Sequence, residues 1–203
     1  PSVPGLSERI ATFKNLSEKI GKNKVIWRFD PLILTPDKDI HQLIQRVKHI
    51  GDQIHPYTEK LIFSFVQISP YKKVQRNINR HTKFYSNHTI QNFEFLSAQK
   101  KEFAEKLSSL VRGWGIEVAS CAEKTNLEEF GIQHSRCIDD TLLRRLFPED
   151  KQLLHFLNTG ETVNNNQQSI FQNSRKNISL KDKGQRELCG CIYSKDIGQY
   201  NTC

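Results

Sequence analysis

KVIWRFDPLILTPDKDIHQLIQRVKHIGDQIHPYTEKLIFSFV, residues 24–66, decides the fold class. It opens on Lys24 to Asp30, a short run rich in β-branched and aromatic residues that reads as a buried strand. Thr35-Pro36 then offers an N-cap with proline in the first helical turn. Ile40, Leu43, Ile44, Val47 and Ile54 follow at the spacing of an amphipathic helix. A second apolar run, Lys60 to Val66, completes a strand–helix–strand unit.

The same alternation extends in both directions. Ser7 to Ile20 places Ile10, Phe13, Leu16 and Ile20 on one helical face, with Gly21 as the stop. Downstream, Ser97 is expected to cap a helix carrying Phe103, Leu107, Leu110 and Val111, ended by Gly113 and Gly115. Ile116 to Cys121 reads as a third strand. Repeated βα units predict an α/β fold, a parallel sheet with its helices outside. Three units fall short of a closed eight-stranded barrel, which takes about 250 residues. An incomplete TIM-like (β/α) barrel is therefore the first expectation, and a doubly wound open sheet the second.

Residues 1–148 form the barrel-like domain in this reading, with a polar, basic insertion at about 70–92. Residues 149–180 contain TVNNNQQS (162–169), a low-complexity run with little to bury, where poor order is expected. Residues 181–203 form a Cys-rich C-terminal segment holding three of the five cysteines, Cys189, Cys191 and Cys203. The chain starts on Pro1, ends on Cys203 and has no methionine, so it reads as a fragment truncated at both ends.

Hydrophobic residues make up 36% of the 203, enough for a core in a chain of this length. No apolar run approaches the roughly 20 residues that span a bilayer. An odd number of unevenly placed cysteines is a poor disulfide framework and suits reduced thiols in the cytoplasm. The formal charge is +8, and its distribution is uneven. Between Lys60 and Phe93 there is no acidic residue, while Lys72, Lys73, Arg76, Arg80 and Lys83 crowd the stretch, interleaved with Tyr71, Phe84 and Tyr85. Such a pattern can track a phosphate backbone and stack on bases. The usual fate of such a charge-rich stretch is a solvated, loosely ordered surface insertion.

Parallel α/β folds gather their chemistry at the carboxyl ends of the strands. Those ends read Arg28-Phe29-Asp30, Ser64-Phe65-Val66-Gln67 and Ser120-Cys121-Ala122-Glu123. Arg28 and Asp30 are two apart and so share one side of their strand. Arg28, Asp30 and Glu123 are the candidate catalytic residues: a cation, a carboxylate and an acid/base or acceptor from another strand. An ion pair that merely closes the rim is the competing reading of Arg28 and Asp30. Cys121 reads as a small buried apolar residue, and Cys137 as core or a thiol ligand. Cys189 and Cys191, a C-x-C pair, could share zinc or an iron–sulfur centre, with Cys203 contributing. No glycine-rich phosphate loop and no G-x-S-x-G elbow occurs, which speaks against a nucleotide-dependent kinase or a serine hydrolase.

Val25 to Thr35, Cys121-Ala-Glu123, Gly131-Ile-Gln-His134, Cys137-Ile-Asp139, Gln185 to Cys191 and above all Ser194-Lys-Asp-Ile-Gly-Gln-Tyr-Asn-Thr-Cys203 resemble a bacterial family known as domain of unknown function 1848. In that family the last of these cysteines is followed by x3-C-x2-C, which resembles the motif that holds the [4Fe–4S] cluster of radical S-adenosylmethionine enzymes. The resemblance implies that Cys203 is the first cluster ligand, with Cys189 and Cys191 auxiliary, and that the cofactors are the cluster and S-adenosylmethionine. It supplies no substrate. Two readings compete with a radical-type enzyme: a non-enzymatic nucleic-acid-binding α/β module acting through Lys72, Lys73, Arg76, Arg80 and Lys83, and a structural zinc protein.

Overall fold

Helix α1 (Leu6–Ile20) leads into strand β1 (Trp27–Leu32), and helix α2 (Ile40–Ile54) carries the chain to β2 (Lys60–Phe65). Helices α3 (Lys72–His81) and α4 (Ser97–Val111) precede β3 (Glu117–Cys121) and the three-residue β4 (Gln133–Ser135). Two short helices follow, α5 (Asp140–Leu146) and α6 (Lys151–Thr159). This computed structural model describes residues 3–35, 38–69, 71–81, 93–136 and 138–159. They fall into two compact units, one running to Ser135 and one starting at Arg136.

The first unit is an α/β layer built on a four-stranded, wholly parallel sheet in the order β1-β2-β3-β4. Each strand is added beside its predecessor, with no reversal of order among the described strands. β2 lies between two neighbours and is buried on both faces, which is why its sequence is almost continuously apolar. One face carries Trp27, Leu61, Phe63, Phe65 and Val118 against Ile10 of α1, Leu43, Val47 and Ile54 of α2, and Phe103 and Leu107 of α4. Phe65, Phe95 and Phe103 form its centre, with Phe65 and Phe95 ring centroids 4.6 Å apart. Such aromatic pairs add roughly 0.5–1.5 kcal/mol each beyond their buried area. The opposite face carries a smaller cluster of Ile62, Ala119, Cys121 and Ala122.

Two details lock the βαβ unit. The buried Thr58 hydroxyl donates to the Val25 carbonyl at 2.7 Å, tying the entry to β2 to the entry to β1. Gly51 lets Trp114 lie on α2, since a Cβ there would meet the indole at 2.0 Å. Trp114 in turn stacks on His55, with centroids 5.6 Å apart.

Several local expectations need correction. The N-cap of α2 is Asp39, not Thr35: Asp39 accepts from the Gln42 N–H at 2.8 Å while Gln42 accepts from the Asp39 N–H at 2.9 Å, a capping box. Ser97 is the first residue of α4 rather than its cap; Gln99 reaches back to the Leu96 N–H at 2.9 Å. On α1 the buried residues are Ile10 and Ser17, while Leu16 and Ile20 stay exposed, so its inward face is rotated from the one the periodicity suggests. Within the basic stretch residues 72–81 are helical, and residues 82–92 lie outside the described residues. α6 also starts inside the segment taken as low-complexity, with Asp150 capping it through the Leu153 N–H at 2.9 Å. The Asn/Gln run at 162–169 lies outside the described residues.

In the second unit Asp139 caps α5, accepting from the Leu142 N–H at 3.0 Å. Arg144 donates to the Leu157 carbonyl at 3.0 Å, linking α5 to α6.

Candidate functional site

β1 and β2 stay in register from Trp27↔Leu61 to Phe29↔Phe63 and resume at Leu32↔Phe65. Asp30 and Pro31 together therefore oppose the single residue Ser64, a bulge at the carboxyl end of β1. Proline has no N–H to give to the ladder, so the irregularity falls where the chain can best bear it. A bulge re-aims the side chains around it. Here it brings Asp30 against Ser64, whose hydroxyl donates to Asp30 Oδ1. Arg28, on the same face, donates from Nη2 to Asp30 Oδ2 at 2.6 Å. Both oxygens of one carboxylate are thus engaged, one by a cation and one by a hydroxyl from the adjacent strand. The Arg28 and Asp30 side chains remain 36% and 24% exposed while Ser64 is buried, so the array runs from the interior to the surface at the sheet end.

Glu123 has a different setting. It lies two residues past the end of β3, after Ala122 turns the chain at φ 51°, and its side chain is only 3% exposed. Oε1 accepts from Lys100 Nζ at 2.9 Å and from the Thr125 N–H at 2.8 Å. Lys100, near the start of α4, also lies over the Phe65 ring, 5.5 Å from its centroid. A buried carboxylate needs such partners to stay charged. The three sequence candidates therefore fall into two settings: Arg28 and Asp30 are joined to each other, and Glu123 is joined to Lys100.

Ser64 and Lys100 are the polar partners that sequence reasoning missed. Ser64 stands inside an apolar run, and its role appears only when the bulge fixes the register. Lys100 is one of several lysines on a helix, and nothing local marks it. Cys121 is buried beside Ile62 and Ala119, as its flanking residues suggested. Cys137, Cys189, Cys191, Cys203 and Lys83 lie outside the described residues. Among the described residues, no group of three His, Cys, Asp or Glu side chains could hold a metal ion.

Among the described residues, hollows lie on either side of the sheet. One of about 430 Å³ runs along the outer edge of β1, from Trp27 to Pro31, beneath Phe13 of α1 and Ile50 of α2. Arg28 and Asp30 stand on its wall. A larger one, about 620 Å³, lies at the amino end of β3 between Arg112, Glu117 and Phe130. Parallel α/β proteins bind at the carboxyl ends of their strands, so the first is the one beside the chemistry. No described helix is long and apolar enough to cross a membrane.

A parallel sheet with paired polar side chains at the strand ends defines the class, an α/β protein with its candidate site on β1 and β2. The chain belongs to a family described as Domain of unknown function (DUF1848), whose sequence model it matches over residues 1–203. No curated protein and no solved structure matches it.

Proposed function

We propose that the chain is the α/β core of a cytoplasmic iron–sulfur enzyme of the radical type, acting on a small polar molecule at the carboxyl ends of β1 and β2. The observation that carries the pocket is the Arg28–Asp30–Ser64 array. Arg28 offers a planar fork of donors that suits a carboxylate or phosphate of the ligand. Asp30 fixes that fork and offers an acceptor to a ligand hydroxyl or amine. Glu123 is a positioning residue in this reading, holding Lys100 rather than touching substrate. The sequential parallel strand order favours an arc of a (β/α) barrel as the frame.

The cofactor rests on the C-terminal thiols: Cys203 as first ligand of a cluster motif, Cys189 and Cys191 as auxiliary ligands. Soft thiolates are the donors that iron–sulfur centres take. When bound, the cluster supplies one electron for reductive cleavage of S-adenosylmethionine.

Anaerobic purification of the complete gene product, followed by iron and sulfide analysis, tests the cofactor. Iron with matching acid-labile sulfide, lost in Cys203→Ala, is the expected result. Zinc, no metal, or iron indifferent to Cys203→Ala would overturn it. A thermal-shift panel of small carboxylates and phosphates tests the pocket. At least one compound should stabilise the wild type and not Arg28→Ala; equal responses would remove the array from the site.

A further inference from the structure

Helix α3 carries a regular row of cations and no acidic residue of its own. Lys72, Arg76 and Arg80 recur every four residues, all exposed, on a helix without an acidic residue. Several cations elsewhere in the described residues do sit on carboxylates: Arg28 on Asp30, Lys48 on Asp52, Lys100 on Glu123, Lys101 on Glu129. No described carboxylate pairs with Lys72, Arg76 or Arg80.

Glu94, the first acid after the helix in the chain, is turned elsewhere. Its carboxylate accepts from the backbone N–H of Ile68, from that of Ser69 at 2.6 Å, and from the Ser69 hydroxyl at 2.9 Å. Gln75 of α3 donates to the Ser69 carbonyl at 2.6 Å, and the Tyr71 N–H to the Ile68 carbonyl at 2.9 Å. The foot of α3 is thereby fastened to the loop that follows β2. Val74 and Ile78 are half-buried, so the apolar side of the helix faces the protein and the cationic row faces solvent.

We propose that α3 is a docking rail for single-stranded nucleic acid, its cations Lys72, Arg76 and Arg80 each meeting one backbone phosphate. At about 1.5 Å rise per residue, successive cations stand about 6 Å apart along the helix. That is a linear, regular charge array, which suits a polymer with regularly repeated anions. A membrane surface is a poorer fit, since α3 has no outward apolar face to insert. Tyr71, half-buried at the foot of the rail, is placed to stack on a base. None of the rail's cations lines the strand-end hollow, and the rail needs neither the array nor a cluster.

The test is fluorescence anisotropy with a labelled oligouridylate across a salt series. It compares the wild type, the triple variant Lys72→Ala/Arg76→Ala/Arg80→Ala, and a charge-matched control, Lys19→Ala/Lys22→Ala/Lys24→Ala. All substituted side chains are exposed, so circular dichroism should show three folded proteins. Three lost phosphate contacts should lower the log–log salt slope by about 2. Between about 50 and about 200 mM salt the wild type should then lose roughly tenfold to twentyfold more affinity than the triple variant. The control should keep the wild-type slope. Absence of wild-type binding, an unchanged slope in the triple variant, an equal loss in the control, or binding to anionic vesicles in place of the oligonucleotide would each overturn the proposal.

Discussion

Three ion pairs on this protein have similar geometry and very different surroundings. Lys100–Glu123 spans 2.9 Å with side chains 18% and 3% exposed; Arg28–Asp30 spans 2.6 Å at 36% and 24%; Lys48–Asp52 spans 2.6 Å at 49% and 46%. Contact distance alone would rank them as equals. Solvent separates them. A pair taken out of water holds the fold hostage to both partners, because removing one leaves the other charged and unsatisfied. A pair at the surface loses little on folding and little when broken. The first is therefore expected to serve the scaffold and the second is the pair that the proposed ligand would meet, although Glu123 and Asp30 look alike as carboxylates at strand ends.

The largest effect expected follows from the first pair. Glu123→Gln keeps an acceptor for the Thr125 N–H but leaves Lys100 without its counter-charge. Equilibrium urea unfolding should show a loss of about 3 kcal/mol, the low end for breaking a buried pair. Replacing Lys100 and Glu123 together by Met and Leu should recover most of that loss, as two apolar groups leave no charge behind. A double variant as weak as the single would place the cost in packing instead.

Arg28→Ala stands in the middle. Its loss of stability should not exceed about 1 kcal/mol, while its effect on any small-anion ligand should be complete within the range of a thermal-shift assay. Conversely, Arg28→Lys restores charge without the planar fork and should recover only part of that response.

The exposed pair gives the smallest effect, and a pH dependence of known sign. The hydrogen bond from Lys48 holds the Asp52 carboxyl below its usual range. A depressed folded-state value stabilises the fold above the unfolded-chain pKa, and that contribution fades as the pH falls through the folded value. Asp52→Asn should remove this contribution, giving a small loss at neutral pH, the smallest of the three pairs, that vanishes once the pH falls below the folded-state value. A loss at neutral pH as large as that of Glu123→Gln would blur the ranking of the three pairs.

How much of this was legible in the chain follows the same physics. β1, α2, β2, α4 and β3 stand out because burial imposes a period on their apolar residues, and the α/β class follows from their alternation. β4 escapes notice because three residues, two of them exposed, carry no period. α3 escapes for the opposite reason: its helix is polar almost all round, with Val74 and Ile78 its two apolar residues, both half-buried. The cap of α2 was misplaced because Thr and Asp both suit an N-cap and only the folded backbone decides which one closes the turn; α4 starts one residue earlier than its serine suggested, after Leu96, with Gln99 reaching back to close it. At the site, Arg28 and Asp30 were readable from strand alternation alone. Ser64 and Lys100 were not, since one depends on a bulge and the other on the rotation of α4 over Phe65. The C-terminal cysteines lie outside the described residues, so their reading still stands on the sequence.

The most direct test of the division between scaffold and site is a matched pair of isosteric variants, Asp30→Asn and Glu123→Gln, unfolded in urea side by side. Each keeps its side-chain shape and an acceptor, and each removes one negative charge. Asp30→Asn should stay within about 1 kcal/mol of the wild type, and Glu123→Gln should lose about 3 kcal/mol. Equal losses, or a larger one at Asp30, would make the β1 array part of the scaffold and contradict its assignment as the ligand-facing site.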